Sequence, residues 1–170
     1  METNIVNIRK FLLVLTAAII LSACDKESTP TDDIVGTWTS GTSTFTFMVG
    51  TQSLSEYLTS LGYTASDSQF YLSLFNLGMQ QSFTGTIQLK GDNTYISNLG
   101  GVQETGTWSL TTDTKKIILD PDDAQAMVFD IITLTANKLQ VQMTGSIGED
   151  LDDDTVPEEI IVNVDLTFNK

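Results

Sequence analysis

The sequence predicts a mainly β domain: an antiparallel up-and-down barrel of about eight strands, with a helical hairpin inserted between strands two and three. Three observations carry this. From Ile34 onward, apolar residues alternate with polar ones over most of the chain, the mark of strands buried on one face. Short polar connections of hairpin length separate these runs. A single stretch departs from period two and takes up helical spacing. A meander of so many half-buried strands tends to curl shut, which removes its exposed edges.

Taken in order, Phe45, Phe47 and Val49 share one face against Thr44, Thr46 and Met48. The helical stretch follows, with Leu54, Tyr57, Leu58 and Leu61 in register. Ser53 and Glu56 fit a capping box there, and Gly62 can end the helix. Ser66 and Gln69 fit a second box, ahead of an apolar stripe of Phe70, Leu74 and Leu77 with Tyr71 and Phe75 beside it. This hairpin is expected to plug or cover one barrel end, a mobile lid being the functional alternative. Alternation then resumes. Phe83, Ile87 and Leu89 oppose Thr84, Thr86 and Gln88; Val102, Gly106, Trp108 and Leu110 oppose Gln103, Thr105, Thr107 and Ser109. Met127–Leu134 is apolar on both faces, so a cover outside is expected as well. Leu139, Val141 and Met143 form the next face, and Ile160, Val162, Val164, Leu166 and Phe168 the last and clearest. Gly91-Asp92-Asn93, Thr112-Asp113-Thr114 and Ala136-Asn137 supply the turns.

Ahead of the domain, Arg9 and Lys10 precede an uncharged apolar run over residues 11–21, and small residues lead into the sole cysteine, Cys24. The run is shorter than the ~20 residues a spanning helix needs, so a signal segment is expected rather than an anchor helix. Leu21-Ser22-Ala23-Cys24 resembles the lipobox of bacterial lipoproteins, where cleavage leaves a lipidated cysteine as the first residue. That resemblance implies a signal peptide over residues 1–23 and lipidation at Cys24. Residues 24–33 then read as a flexible tether and residues 34–170 as the folded domain. Cys24-Asp25-Lys26-Glu27 loosely resembles the charged tags of surface lipoproteins in Bacteroidota, while Asp after the cysteine resembles an inner-membrane retention signal of enteric bacteria. A plain solvated linker stands beside both. The implied address is the bacterial cell envelope, with the outer membrane expected and its periplasmic or surface face left open.

Composition excludes more than it assigns. Removing residues 1–23 takes away two cations and one anion, so the formal charge of −14 becomes −15. Nothing this acidic approaches nucleic acid, because phosphate would repel it. The chain has no histidine. With Cys24 acylated, Ser-His-Asp and Cys-His nucleophiles are excluded, as is zinc held by His or Cys. Carboxylate pairs could still serve as acid and base, but no spacing singles one out. The expectation is a protein that is not an enzyme and needs no cofactor.

Ile34-Val35-Gly36-Thr37-Trp38 resembles the Gly-x-Trp opening of lipocalin-type barrels. The later order resembles the lipocalin-like lipoproteins of Bacteroidota, a calycin-like group: Gly85-Thr86-Ile87-Gln88-Leu89, then Gly106-Thr107-Trp108-Ser109-Leu110, then Lys116-Ile117-Ile118-Leu119, then Phe129-Asp130-Ile131-Ile132. The likeness covers nearly all of residues 34–170. Lipocalins pair the first tryptophan with a late arginine; here no arginine follows Arg9, and Lys170 is the cation at the chain end. From the residues themselves, Trp38 and Trp108 read as core closing the barrel base, since a preceding Gly lets backbone approach and Trp buries a large area. Ligand contact is the sharper alternative.

Residues 148–159 form an acidic loop in which Asp150, Asp152 and Asp154 alternate as in the opening of a calcium loop. Thr155 and Ile161 stand where an EF-hand needs Gly and Glu, so a solvated hairpin loop is the plainer reading. Two functions remain. One is a module binding a small apolar molecule or peptide inside the barrel, in line with the resemblance. The other is an accessory subunit with a filled interior, docking on another envelope protein.

Overall fold

The computed structural model describes residues 30–170. The signal-peptide and Cys24 readings therefore lie outside the described residues. The chain enters through a helical turn, α1 (Pro30–Ile34), so ordered structure takes in the last residues of the stretch read as tether. Proline suits this position, because its missing N–H would be unpaired in the first turn anyway.

One long strand, β1 (Gly36–Val49), runs from the Gly36-Thr37-Trp38 opening through Phe45, Phe47 and Val49, and its register against the last strand shifts between Ser40 and Ser43. A two-residue strand, β2 (Gln52–Ser53), pairs with its end. After the helices come β3 (Gly85–Leu89), β4 (Thr94–Leu99), β5 (Val102–Leu110), β6 (Lys116–Pro121), β7 (Met127–Leu134), β8 (Lys138–Glu149) and β9 (Glu158–Asn169). Every neighbouring pair is antiparallel, and β1 pairs with both β3 and β9. The result is a closed eight-stranded barrel to which β2 is an appendage. Closure uses both edges of β1: Gly36 to Thr39 pairs with β3, while Thr39, Ser40 and then Ser43 to Val49 pair with β9, the shift being a bulge within that second seam.

Alternation maps onto this barrel directly. Phe45 and Phe47, Ile87 and Leu89, Ile117 and Leu119, Leu139 and Val141, and the even-numbered residues of β9 from Ile160 to Phe168 are buried inside. Polar partners face out, where Gln140 and Gln142 both donate to Asp165 and Thr144 donates to Asn163. Two expectations fail. The outer face of β7 is not covered by the described residues, for Val128 and Ile132 are exposed. Val102, expected inward, is exposed at the tip of the β4–β5 hairpin, whose turn is Gly100-Gly101, both at positive φ. This is the backbone a two-residue primed turn requires.

The helical hairpin is α2 (Leu54–Ser60) and α3 (Ala65–Ser82). The capping box is present: Glu56 N–H donates to Ser53 Oγ, and Ser53 N–H donates back to the Glu56 carboxylate. Gly62, at φ 96°, ends α2; its N–H reaches Thr59 O and the Tyr63 N–H reaches Leu58 O, the paired bonds of a Schellman ending. The second box is displaced. Thr64, not Ser66, caps α3, accepting from Asp67 N–H. The stripe of Phe70, Leu74 and Leu77 faces solvent, with 61%, 49% and 51% exposure. The inner side is chosen by aromatic pairing, Phe75 on Phe47 at 5.6 Å and Phe83 on Phe45 at 6.0 Å between ring centres. α3 carries apolar residues nearly all round, so spacing alone could not select its buried side. No helix among the described residues is long and apolar enough to cross a membrane.

Candidate functional site

Inside the barrel, below the C-terminal end of α3, lies an apolar cavity of about 210 Å³. Trp38 and Leu89 lie toward the end that holds Ile34 and Lys170. Ile117, Leu119, Phe129, Leu139, Val141 and Leu166 form the walls, and Ser82 and Phe83 of the helical hairpin cover it. Exposed Val102 stands at the opening together with Leu99 and Met127. An engineered cavity of ~150 Å³ with comparable lining stays dry and takes up benzene or xenon. This one therefore has room for a molecule somewhat larger than benzene, below the usual size of drug-like ligands.

One wall is polar. Ser97 of β4 and Glu104 of β5 are directly paired across the strands, so both side chains point inward on neighbouring positions. Both line the cavity. Ser97 is 5% exposed, and no hydrogen bond among the described residues reaches its hydroxyl. Beneath them, the Tyr95 hydroxyl donates to Glu104 Oε1 at 2.6 Å. Burial, and then that bond to a carboxylate, push the Tyr95 phenol well above its ordinary value. The ring of Tyr95 fits because Gly106 opposes it: a Cβ there would lie 2.8 Å from the ring edge.

At the closed end, Trp38 is buried and its indole N–H donates to Ile34 O at 2.7 Å. Trp108 is buried too and donates to Lys90 O at 2.9 Å. Lys170 Nζ sits 4.5 Å from the centre of the Trp38 ring and donates to the carbonyl of Asp33. The cation at the chain end thus lies against the face of the first tryptophan. Gly36 leaves room for it, since a Cβ would fall 2.7 Å from Lys170 Cε. Loss of hydration lowers the Lys170 ammonium from its ordinary value, opposed by the charge of Asp33. Trp38 serves both readings, being core and also part of the cavity lining.

The acidic loop gathers a different set from the one its spacing suggested. Carboxylate oxygens of Asp150, Asp152 and Glu158 lie within 4.8 Å of one another. Asp154 instead accepts from Val156 N–H at 2.8 Å. Glu158 accepts from Leu151 N–H (2.8 Å) and from the Tyr57 hydroxyl (2.9 Å), which hold its carboxyl below the ordinary range. Loss of hydration, reinforced by the surrounding carboxylates, raises Asp152. With Tyr63 donating to Leu151 O, these bonds latch the helical hairpin to the β8–β9 end of the barrel.

Sequence reasoning missed Ser97 and Glu104. The signal was present, as both occupy inward positions of alternating runs, where a polar residue is out of place unless it does something.

No protein-family model matches the chain. No curated protein matches it either. Among solved structures, a DUF4847 family protein from Bacteroides vulgatus is similar over 79% of this chain and 91% of its own length, at 11% identity and a TM-score of 0.37.

Proposed function

We propose that this chain is a lipid-anchored protein of the bacterial envelope whose barrel holds one small apolar molecule and does not transform it. The observation that carries the reading is the 210 Å³ apolar cavity beneath the helical hairpin. A barrel with a fully packed interior would have side chains there instead. The cysteine after a lipobox-like run supplies the tether, and the outer membrane is the expected address. The missing histidine favours carriage over catalysis. Native mass spectrometry of protein extracted gently from its own cells tests the reading. A constant additional mass of a small apolar compound is expected; bare protein in every preparation contradicts it.

A second reading has its own observation. Phe70, Leu74 and Leu77 form an exposed apolar stripe along α3, the kind of surface that marks contact with another protein. An accessory subunit docking through that helix should crosslink in cells to one constant envelope partner. Random neighbours alone would remove this alternative.

A further inference from the structure

We propose that the cavity selects an apolar molecule ending in one hydrogen-bond-donating group, a hydroxyl or an ammonium, and rejects one ending in a carboxylate. The inference rests on the ligand-binding reading above and names the chemistry of that site. Its basis is the polar pair in an otherwise apolar wall. Ser97 and Glu104 face inward from paired positions on β4 and β5. Ser97 is a buried residue on the cavity wall, and its hydroxyl has no hydrogen-bond partner among the described residues, so it is left with donor and acceptor capacity for a molecule inside. Glu104 uses Oε1 to accept from Tyr95, and a carboxylate has acceptor capacity beyond one bond. A ligand hydroxyl between the two would donate to the carboxylate and accept from the serine, and an ammonium there would donate to both.

The same wall argues against anions. Among the described residues, no lysine or arginine lines the cavity. Lys170 reaches the Trp38 ring but is taken up by the Asp33 carbonyl. A carboxylate-ended ligand would meet Glu104 with no cation to offset the repulsion. The size of the space asks for a substituted ring or a short branched chain.

The test uses four probes of one shape: 4-ethylphenol, 4-ethylbenzylamine, 4-ethyltoluene and 4-ethylbenzoate. The full chain is held in lipid nanodiscs, and binding is read from the methyl NMR signals of Ile87 and Ile117, so partition into lipid does not register. The phenol and the amine are expected to bind and the benzoate to leave the signals unmoved. Glu104→Gln should weaken 4-ethylphenol about ten-fold, because a bond to a charged acceptor becomes a neutral one. It should leave 4-ethyltoluene within about two-fold. Ser97→Ala, a milder change, should weaken the phenol about three-fold or more and spare the toluene. Benzoate binding as tight as the phenol overturns the proposal. So does equal weakening of phenol and toluene in both variants, which leaves the apolar cavity standing. No shift with any probe overturns the ligand-binding reading itself, and this inference with it.

Discussion

Gly106→Ala probes the packing that closes the barrel wall beside the polar pair. An alanine Cβ at this position would lie 2.2 Å from Asp120 O, 2.8 Å from Pro121 Cα and 2.8 Å from the Tyr95 ring edge. Carbon contacts are comfortable at about 3.5–4.0 Å, so the space is short by roughly 1 Å on two sides. Two of the three neighbours are main chain of β6, which moves only by disturbing the pairing of Gly106 with Pro121. Overpacking costs about 1–3 kcal/mol, and rigid neighbours put this site at the upper end, about 3 kcal/mol. For a chain of this size each kcal/mol moves Tm by about 2–4 °C, which makes a fall of about 6–12 °C. Gly91→Ala is the control. Nothing lies within 4 Å of its added methyl, so its stability should stay within about 0.5 kcal/mol. Thermal melts and urea titrations of both variants beside the parent give the answer. Equal melting of the two variants would refute the register that sets β5 against β6.

Three further outcomes follow from named contacts. Lys170→Gln removes the ammonium from the face of Trp38; a loss of about 1 kcal/mol is expected in urea unfolding, and unchanged stability would leave the chain end without a structural role. Glu158 titrates below the ordinary Glu value of 4.5 because Leu151 N–H and Tyr57 donate to it; a depressed acid stabilises the fold above its unfolded value and loses that contribution as pH falls through its folded one. Stability should therefore drop less between pH 6 and pH 3 in Glu158→Gln than in the parent, and identical drops would argue against the latch. Cys24→Ser should leave the precursor uncleaved and unlabelled by fatty acid, whereas normal processing of the variant, with no label in the parent, removes the lipid anchor.

The barrel was legible because its code is short-range. One side chain in two faces the core, and the five inward residues of β9 already define its face without reference to any other strand. The capping box at Ser53 and the stop at Gly62 are equally local. What escaped depends on which surfaces meet. Thr64-x-x-Asp67 and Ser66-x-x-Gln69 are rival caps two residues apart, and the acidic first turn of the former suits the helix dipole better. The buried side of α3 is decided by Phe45 and Phe47 on a distant strand. Asp154 looked like a third carboxylate by spacing, yet Glu158 takes its place, since β8 and β9 pair up to Glu149 and Glu158 and bring it back beside Asp150 and Asp152. Glu104 illustrates a different failure. The alternating series through Val102, Gly106 and Trp108 passes over position 104, and a charged residue in that series was the strongest local hint of an interior site.

A crystal of the protein pressurised with xenon tests the central claim most directly, since xenon enters dry apolar cavities and needs no knowledge of the ligand. The account predicts xenon inside the barrel among Ile117, Phe129, Leu139 and Leu166, with β1 and β9 hydrogen-bonded along the seam from Ser43 to Val49. Side chains filling that space, or a β9 without a strand beside it, would contradict it.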